Sequence, residues 1–98
     1  MSILTMFELH GDPDELFALQ EEKIVPIVQP LAAQNGGISN TVVKTDDGLM
    51  IVNHWENEAG MEKVSAEVRP QALAAGMPEV TNWRQFEVLA QRVRGQDF

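Results

Sequence analysis

Residues 2–9 (SILTMFEL) and residues 49–55 (LMIVNHW) are two strand-like segments that are apolar on both sides. Successive side chains of a strand point to opposite faces of a sheet, so odd and even positions face different ways. The apolar odd positions are Ile3, Phe7, Leu9, Leu49, Ile51 and Trp55, and the apolar even positions are Leu4, Met6, Met50 and Val52. Two apolar faces are typical of a strand that is covered on both sides. We therefore expect both segments at the centre of a sheet.

Each of these strands is followed by a segment with the pattern of an amphipathic helix. Asp12 and Asn57 are N-cap residues in front of apolar positions at helical spacing, and Pro13 suits a first helical turn. Pro26 and Pro70 lie inside the two periodic segments. An interior proline removes a backbone hydrogen bond and costs about 3 kcal/mol. The sequence therefore predicts that each helix kinks or ends at its proline, the first of them directly before Pro26.

Two further strands complete the predicted order strand, helix, strand, strand, helix, strand. Thr45–Gly48 joins Ile38–Lys44 to the strand at residues 49–55, and its Asp-Gly pair favours a hairpin turn. Trp83–Leu89 forms the last strand. This order is that of a ferredoxin-like split βαβ fold (βαββαβ), in which strands one and three are central. The fold class is thus predicted as α+β with an antiparallel four-stranded sheet.

The second apolar face of the central strands predicts an assembly. Two helices can cover one face of the sheet, and a chain of 98 residues has little else with which to cover the other. We therefore expect that face to pack against a second copy, which makes the protein a homodimer. Residues 1–91 are expected to form one domain, and residues 92–98 are expected to form a frayed C-terminal tail.

The composition excludes several classes of partner and site. The formal net charge of −8 repels phosphate backbones, so no nucleic-acid partner is expected. No apolar run approaches the ~20 residues that span a bilayer, and the N-terminus lacks the pattern of a signal peptide, so no membrane association is expected. With no cysteine and two separated histidines, no metal site is expected. These observations favour a cytoplasmic protein.

Residues 47–58 (DGLMIVNHWENE) resemble the third-strand signature of the dimeric α+β barrel superfamily, which includes the antibiotic-biosynthesis monooxygenases. Members often carry a strand that ends in Trp-Glu before a capped helix, and their order of elements matches nearly the whole chain. The resemblance implies a homodimer in which two four-stranded sheets pack face to face as a dimeric α+β barrel. It also implies a pocket for small hydrophobic ligands between sheet and helices. Several members oxygenate aromatic compounds there without metal or flavin, and others degrade haem, isomerise lactones or have no known activity.

The haem-degrading members of this superfamily are a poorer match. They resemble one another in an Asn on the first strand, a Trp at the end of the third strand and a His on the second helix. Trp55 has the place of the Trp, but residues 2–9 contain no Asn, and Ser65 and Ala66 stand where the His is expected. The sequence therefore does not favour haem degradation.

The candidate site residues lie near the end of the third strand and on the strands beside it. His54 is the candidate catalytic base, because an imidazole exchanges protons near neutral pH. The candidate ligand-binding residues are Asn53, Trp55, Phe7, Trp83 and Arg84. Each role has a structural alternative, since a buried indole contributes a large apolar area to any core and a histidine at a strand end is often a surface group.

Two classes of function remain open. The first is a cofactor-independent monooxygenase or isomerase that acts on a small hydrophobic or aromatic metabolite able to form a stabilised anion. The second is a non-enzymatic homodimer that binds a small hydrophobic molecule or has a structural role. The observation that separates them is whether a cavity of ligand size adjoins Trp55 and is lined by His54.

Overall fold

The computed structural model describes residues 1–96, which contain strands and helices in the predicted order. The strands are β1 (Ile3–His10), β2 (Gly37–Thr45), β3 (Gly48–Trp55) and β4 (Thr81–Glu87). The helices are α1 (Pro13–Leu19), α2 (Val25–Gln34) and α3 (Glu58–Ala74), with a π-helical turn (Gln20–Ile24, named the π-segment) between α1 and α2. The predicted strand ends differ from the observed ends by no more than about two residues.

The strands form one antiparallel sheet with the order β2-β3-β1-β4. β1 and β3 are therefore the central strands, as their apolar pattern predicted. Ile3 lies opposite Trp55 and Leu9 lies opposite Leu49, so the odd-numbered residues of both strands share one face. This topology confirms the α+β class and the ferredoxin-like order of elements.

The odd-numbered side chains of the central strands form the core with the helices. The larger cluster joins both strands to α1, the π-segment and the loop after α3: Leu9, Leu49, Ile51, Leu16, Ile24 and Met77. The smaller cluster joins the end of β3 to α3: Trp55, Met61 and Val64. Full burial of one such side chain stabilises a fold by about 1.5–3 kcal/mol, so this face supplies most of the apolar stabilisation.

The opposite face of the sheet, named the open face, carries no helix within residues 1–96. Its side chains are the even-numbered ones of the central strands, and Leu4, Met6, Met50 and Val52 all remain partly exposed. On β4, Phe86 lies opposite Leu4 and is 39% exposed. The second apolar face predicted from the sequence is therefore present and is not covered by helices.

Both predicted N-caps are confirmed. The carboxylate of Asp12 accepts a hydrogen bond from the N–H of Glu15 at 2.9 Å, and Oδ1 of Asn57 accepts one from Gly60 at 2.8 Å. These bonds satisfy backbone donors that a first helical turn leaves without partners. Gly60 also allows close packing, because a Cβ there would lie 2.0 Å from the carbonyl oxygen of Asn35. The start of α3 therefore packs directly against the end of α2.

The second interior proline does not interrupt its helix. α3 continues through Pro70 to Ala74, so the helix does not end at this proline, and a kink there stays a prediction. Pro70 leaves the carbonyl of Ala66 without its helical donor, and both residues are exposed. Water can therefore bond to that carbonyl, which removes the main penalty for a proline inside the helix.

The first helix changes its geometry at the predicted position without ending. The backbone stays helical from α1 to α2, and π-helical geometry gives way to α-helical geometry at Val25, directly before Pro26. The N–H of Val25 bonds to the carbonyl of Gln20, five residues back, as in a π-turn. Gln20 and Ile24, the first and last residues of this turn, are both buried. The π-segment thus directs both of its end residues towards the interior.

The predicted domain over residues 1–91 and the predicted tail over residues 92–98 stay predictions. Two residues of that tail, at positions 97 and 98, lie outside the described part of the chain. Among the helices of residues 1–96, none combines the length and the apolar character that a membrane crossing requires.

Candidate functional site

A cavity of about 320 Å³ lies between the helix-covered face of the sheet and the helices. This volume is at the lower end of the range for small-molecule pockets. All four strands contribute to one wall, and the π-segment, α2, α3 and the loop after α3 form the other. Four of the predicted ligand-binding residues line it: Phe7, Asn53, Trp55 and Trp83.

Phe7 and Trp83 form a flat aromatic wall in this cavity. Their rings stack with centroids 5.5 Å apart and an interplanar angle of 11°. Trp83 is 37% exposed, so the wall extends from the interior towards solvent. A planar aromatic ligand can extend such a stack, which contributes about 0.5–1.5 kcal/mol beyond the burial of area.

Trp55 lines the cavity and belongs to the core as well. It is 5% exposed, and its indole Nε1 donates a hydrogen bond to Oγ1 of Thr5 at 3.3 Å. Thr5 is completely buried on the neighbouring strand. The indole N–H is therefore held by the protein, and Trp55 offers a ligand an apolar ring face.

Asn53 presents a hydrogen-bond donor to the cavity. It lies two residues before Trp55 on β3, so both side chains share the helix-covered face. Its Oδ1 accepts a hydrogen bond from Nδ2 of Asn40 on the neighbouring strand β2. This bond orients the Asn53 amide and leaves its Nδ2 as the group that can bind a ligand.

Four polar or charged residues on the helix side of the cavity were not predicted from the sequence. Gln20 comes from the π-segment and is 8% exposed, Ser65 and Arg69 come from α3, and Glu79 comes from the loop after α3. Ser65 and Arg69 are four residues apart, one helical turn, so they lie on the same side of α3. Ser65 and Arg69 could have been found from the sequence, because they lie next to the apolar positions of α3. Gln20 could not, because its position depends on a π-turn that no sequence pattern indicated.

The structure does not bring His54 and Arg84 to the cavity. His54 lies opposite Leu4 and Arg84 lies opposite Met6, so both belong to the open face. Nδ1 of His54 donates to Oε1 of Gln91 at 3.1 Å, and Nε2 is buried without a hydrogen-bond partner in the described part of the chain. The sequence-based grouping of His54 with Asn53 and Trp55 therefore differs from the structure, because neighbouring strand residues point to opposite faces.

The guanidinium of Arg84 instead lies over the ring of Phe86 at 5.0 Å from its centroid. This cation–π contact belongs to the open face, so Arg84 is also remote from a ligand in the cavity. No group of three or more His, Cys, Asp or Glu side chains within residues 1–96 is arranged to hold a metal ion.

Comparison with known proteins places the fold. No family model and no curated protein matches the chain. Among solved structures, a dimeric ferredoxin-like protein from an uncultured marine organism is similar, with a TM-score of 0.69 and 9% identity over 96% of this chain and 100% of that chain.

Two further similar structures are oxygenases by name. A protein from Chloroflexus aurantiacus assigned as an antibiotic biosynthesis monooxygenase has a TM-score of 0.65 and 13% identity over 97% of this chain and 100% of that chain. SnoaB, a cofactor-independent oxygenase from Streptomyces nogalater, has a TM-score of 0.60 and 16% identity over 97% of this chain and 96% of that chain. The fold implied by residues 47–58 is thereby confirmed: the chain has the fold of antibiotic-biosynthesis-monooxygenase-like and dimeric ferredoxin-like proteins.

Proposed function

We propose that the protein is a cofactor-independent monooxygenase that takes a small aromatic metabolite into the cavity between sheet and helices. The observation that carries the proposal is the stacked pair of Phe7 and Trp83 in a cavity that Asn53 also lines, with an Nδ2 that has no partner among the described residues. A flat ring system fits the wall, and an amide donor suits an oxygen atom that gains negative charge. The likeness to SnoaB supports the proposal at the level of fold.

In such a reaction the substrate itself supplies the electrons that reduce dioxygen. A ring methylene flanked by aryl groups, as in an anthrone, loses a proton and forms a carbanion that is delocalised onto a ring oxygen. This anion passes electrons to dioxygen and forms a C–O bond. One oxygen atom stays as the new carbonyl and the other leaves as water. The balanced change therefore converts one ring methylene and one dioxygen into one ring carbonyl and one water molecule.

Each part of this reaction has a candidate group in the cavity. Asn53 donates to the oxygen that carries the negative charge of the anion. Glu79, a carboxylate in the lining of the cavity, takes the place predicted for His54 as acceptor of the substrate proton. The apolar remainder of the lining keeps water from the anion, which strengthens the hydrogen bond from Asn53.

The proposal includes a homodimer formed through the open face. Leu4, Met6, Met50 and Val52 form a contiguous apolar surface on that face. Monomeric proteins rarely leave a large contiguous apolar surface in water. The dimeric ferredoxin-like protein to which the chain is similar supports this arrangement.

The test is oxygen uptake by metal-free protein with a panel of anthrones and naphthohydroquinones, each measured against its protein-free autoxidation rate. We expect acceleration with at least one compound and one atom of label from ¹⁸O-labelled dioxygen in the product carbonyl. Asn53→Ala should lower kcat about 10- to 100-fold, because one donor to the anion is lost.

The matched control is Gln29→Ala, which removes an exposed amide from α2 and should leave the rate unchanged. If the compounds bind but none reacts faster than without protein, the chain is a binding protein and the monooxygenase proposal is wrong.

A further inference from the structure

We infer that the ligand of the cavity is an aromatic molecule with an anionic oxygen substituent, a carboxylate or an ionised hydroxyl, which Arg69 and Gln20 bind on the helix side. The inference rests on the proposed function for the position of the rings against Phe7 and Trp83. It adds the charge and the hydrogen-bonding character of the ligand, which that function leaves open.

Among the polar groups of the cavity, Asn53 and Arg69 offer donors to a ligand, and the carboxylate of Glu79 offers an acceptor. The indole N–H of Trp55 is taken by Thr5, and Oδ1 of Asn53 is taken by Asn40. The free group of Asn53 is its Nδ2, a donor, and the guanidinium of Arg69 has donors and no acceptor. A ligand that matches these groups must offer acceptor oxygens.

Gln20 lines the cavity with a side chain that has no hydrogen-bond partner among the described residues. The residue is 8% exposed, and no hydrogen bond joins its amide to another part of residues 1–96. A polar group that a ligand seals from water without a partner costs about 1–3 kcal/mol, so a ligand that fills the cavity has to bond to it. The π-segment, which brings this amide to the interior, is a distortion often found at functional sites.

Among residues 1–96, Arg69 is a cation of the cavity lining that forms no ion pair. The chain carries 15 acidic residues, yet no carboxylate lies within ion-pairing distance of Arg69 in the described residues. Glu79 also lines the cavity and forms no such pair with any of the described residues. The planar guanidinium suits a carboxylate, which it binds through two parallel hydrogen bonds. An anionic substituent on the ligand completes this site.

Three anthraquinones that share one ring system and consume no oxygen test the inference: the 2-carboxylate, the neutral 2-carboxamide and the cationic 2-aminomethyl compound. Quenching of tryptophan fluorescence reports their binding beside Trp83. We expect the carboxylate to bind about tenfold more tightly than the carboxamide, in line with one charge-assisted hydrogen-bonded pair. Arg69→Gln should abolish this ratio, and Gln20→Met should weaken the binding of both compounds about fivefold.

Lys63→Gln is the matched control, because it removes a positive charge from an exposed position of α3 that does not line the cavity. It should leave the ratio between carboxylate and carboxamide unchanged. Equal binding of all three compounds, preference for the cationic compound, or no binding of any of them would overturn the inference. Charge-selective binding without oxygen uptake from anthrones would instead support the inference and overturn the monooxygenase proposal.

Discussion

The indole N–H of Trp55 has a structural role that can be tested by its effect on the stability of the fold. Its indole N–H bonds to the fully buried Thr5, so removal of either partner leaves a buried polar group unsatisfied. Thr5→Val and Trp55→Phe should each destabilise the fold by about 1–3 kcal/mol. The double variant should cost about 1 kcal/mol less than the sum of the two, because no orphaned group remains.

Urea denaturation of the four proteins of this double-mutant cycle measures the coupling. The control cycle pairs Thr5→Val with Trp83→Phe, since Trp83 stacks on Phe7 and shares no hydrogen bond with Thr5. Its coupling should stay below about 0.5 kcal/mol. Additive effects of Thr5→Val and Trp55→Phe would contradict the structural role assigned to the indole N–H.

His54 was the predicted catalytic base, but its side chain lies on the face of the sheet opposite the cavity. A general base in the site would make His54→Ala cost about 100-fold in turnover. Because its side chain lies on the open face, we expect His54→Gln to leave anthrone turnover and ligand affinity within about twofold of wild type. Loss of its bond to Gln91 should instead lower the free energy of unfolding by about 1 kcal/mol. A large loss of turnover with unchanged stability would restore His54 to the mechanism.

The alternation of side chains between the two faces of a strand determined how much of the site could be predicted from the sequence. Phe7, Asn53 and Trp55 occupy odd positions, and the alternation that identified the core also places them towards the helices. The same alternation separates His54 from its neighbours, although its chemistry suggested a shared site. Arg69 and Gln20 could not be placed in this way, because their positions depend on how α3 and the π-segment pack on the sheet.

At the scale of elements, local sequence signals correctly predicted where the helices start, but they did not predict that α3 continues through Pro70. A cap is decided by a side chain and a backbone N–H three residues later, so Asp12 and Asn57 were readable from the sequence. The effect of Pro70 depends on whether water reaches the carbonyl of Ala66, which only the tertiary structure decides.

Since α3 continues through Pro70, this proline should still weaken the helix. Pro70→Ala restores the hydrogen bond to Ala66 and should raise the free energy of unfolding by about 1–3 kcal/mol. Pro13→Ala is the matched control, because Pro13 stands in the first turn of α1, where a missing N–H loses no helical bond. It should change the stability by less than about 1 kcal/mol. Denaturation curves that show no gain in the free energy of unfolding for Pro70→Ala would contradict the prediction that this proline weakens α3.

At the scale of the whole molecule, the fold was predictable because two independent patterns agreed. The doubly apolar strands and the order of elements each indicated β1 and β3 at the centre, as observed. The cavity was not predictable in the same way. Its volume is the space that remains between packed elements, and it depends on how α3 and the π-segment pack on the sheet.

The open face predicts that the protein forms a homodimer. Its apolar side chains lie on β1, β3 and β4, and we expect two copies to bury them against each other in solution. Light scattering should then report about 22 kDa, twice the chain mass of 10.9 kDa. Met6→Glu or Met50→Glu should dissociate or unfold the dimer, because a carboxylate buried without a partner costs several kcal/mol, on the order of 3–5. Ala66→Glu, which adds the same charge at an exposed position of α3, should leave the dimer intact. A wild-type protein that stays monomeric at micromolar concentration would show that the open face is covered in some other way.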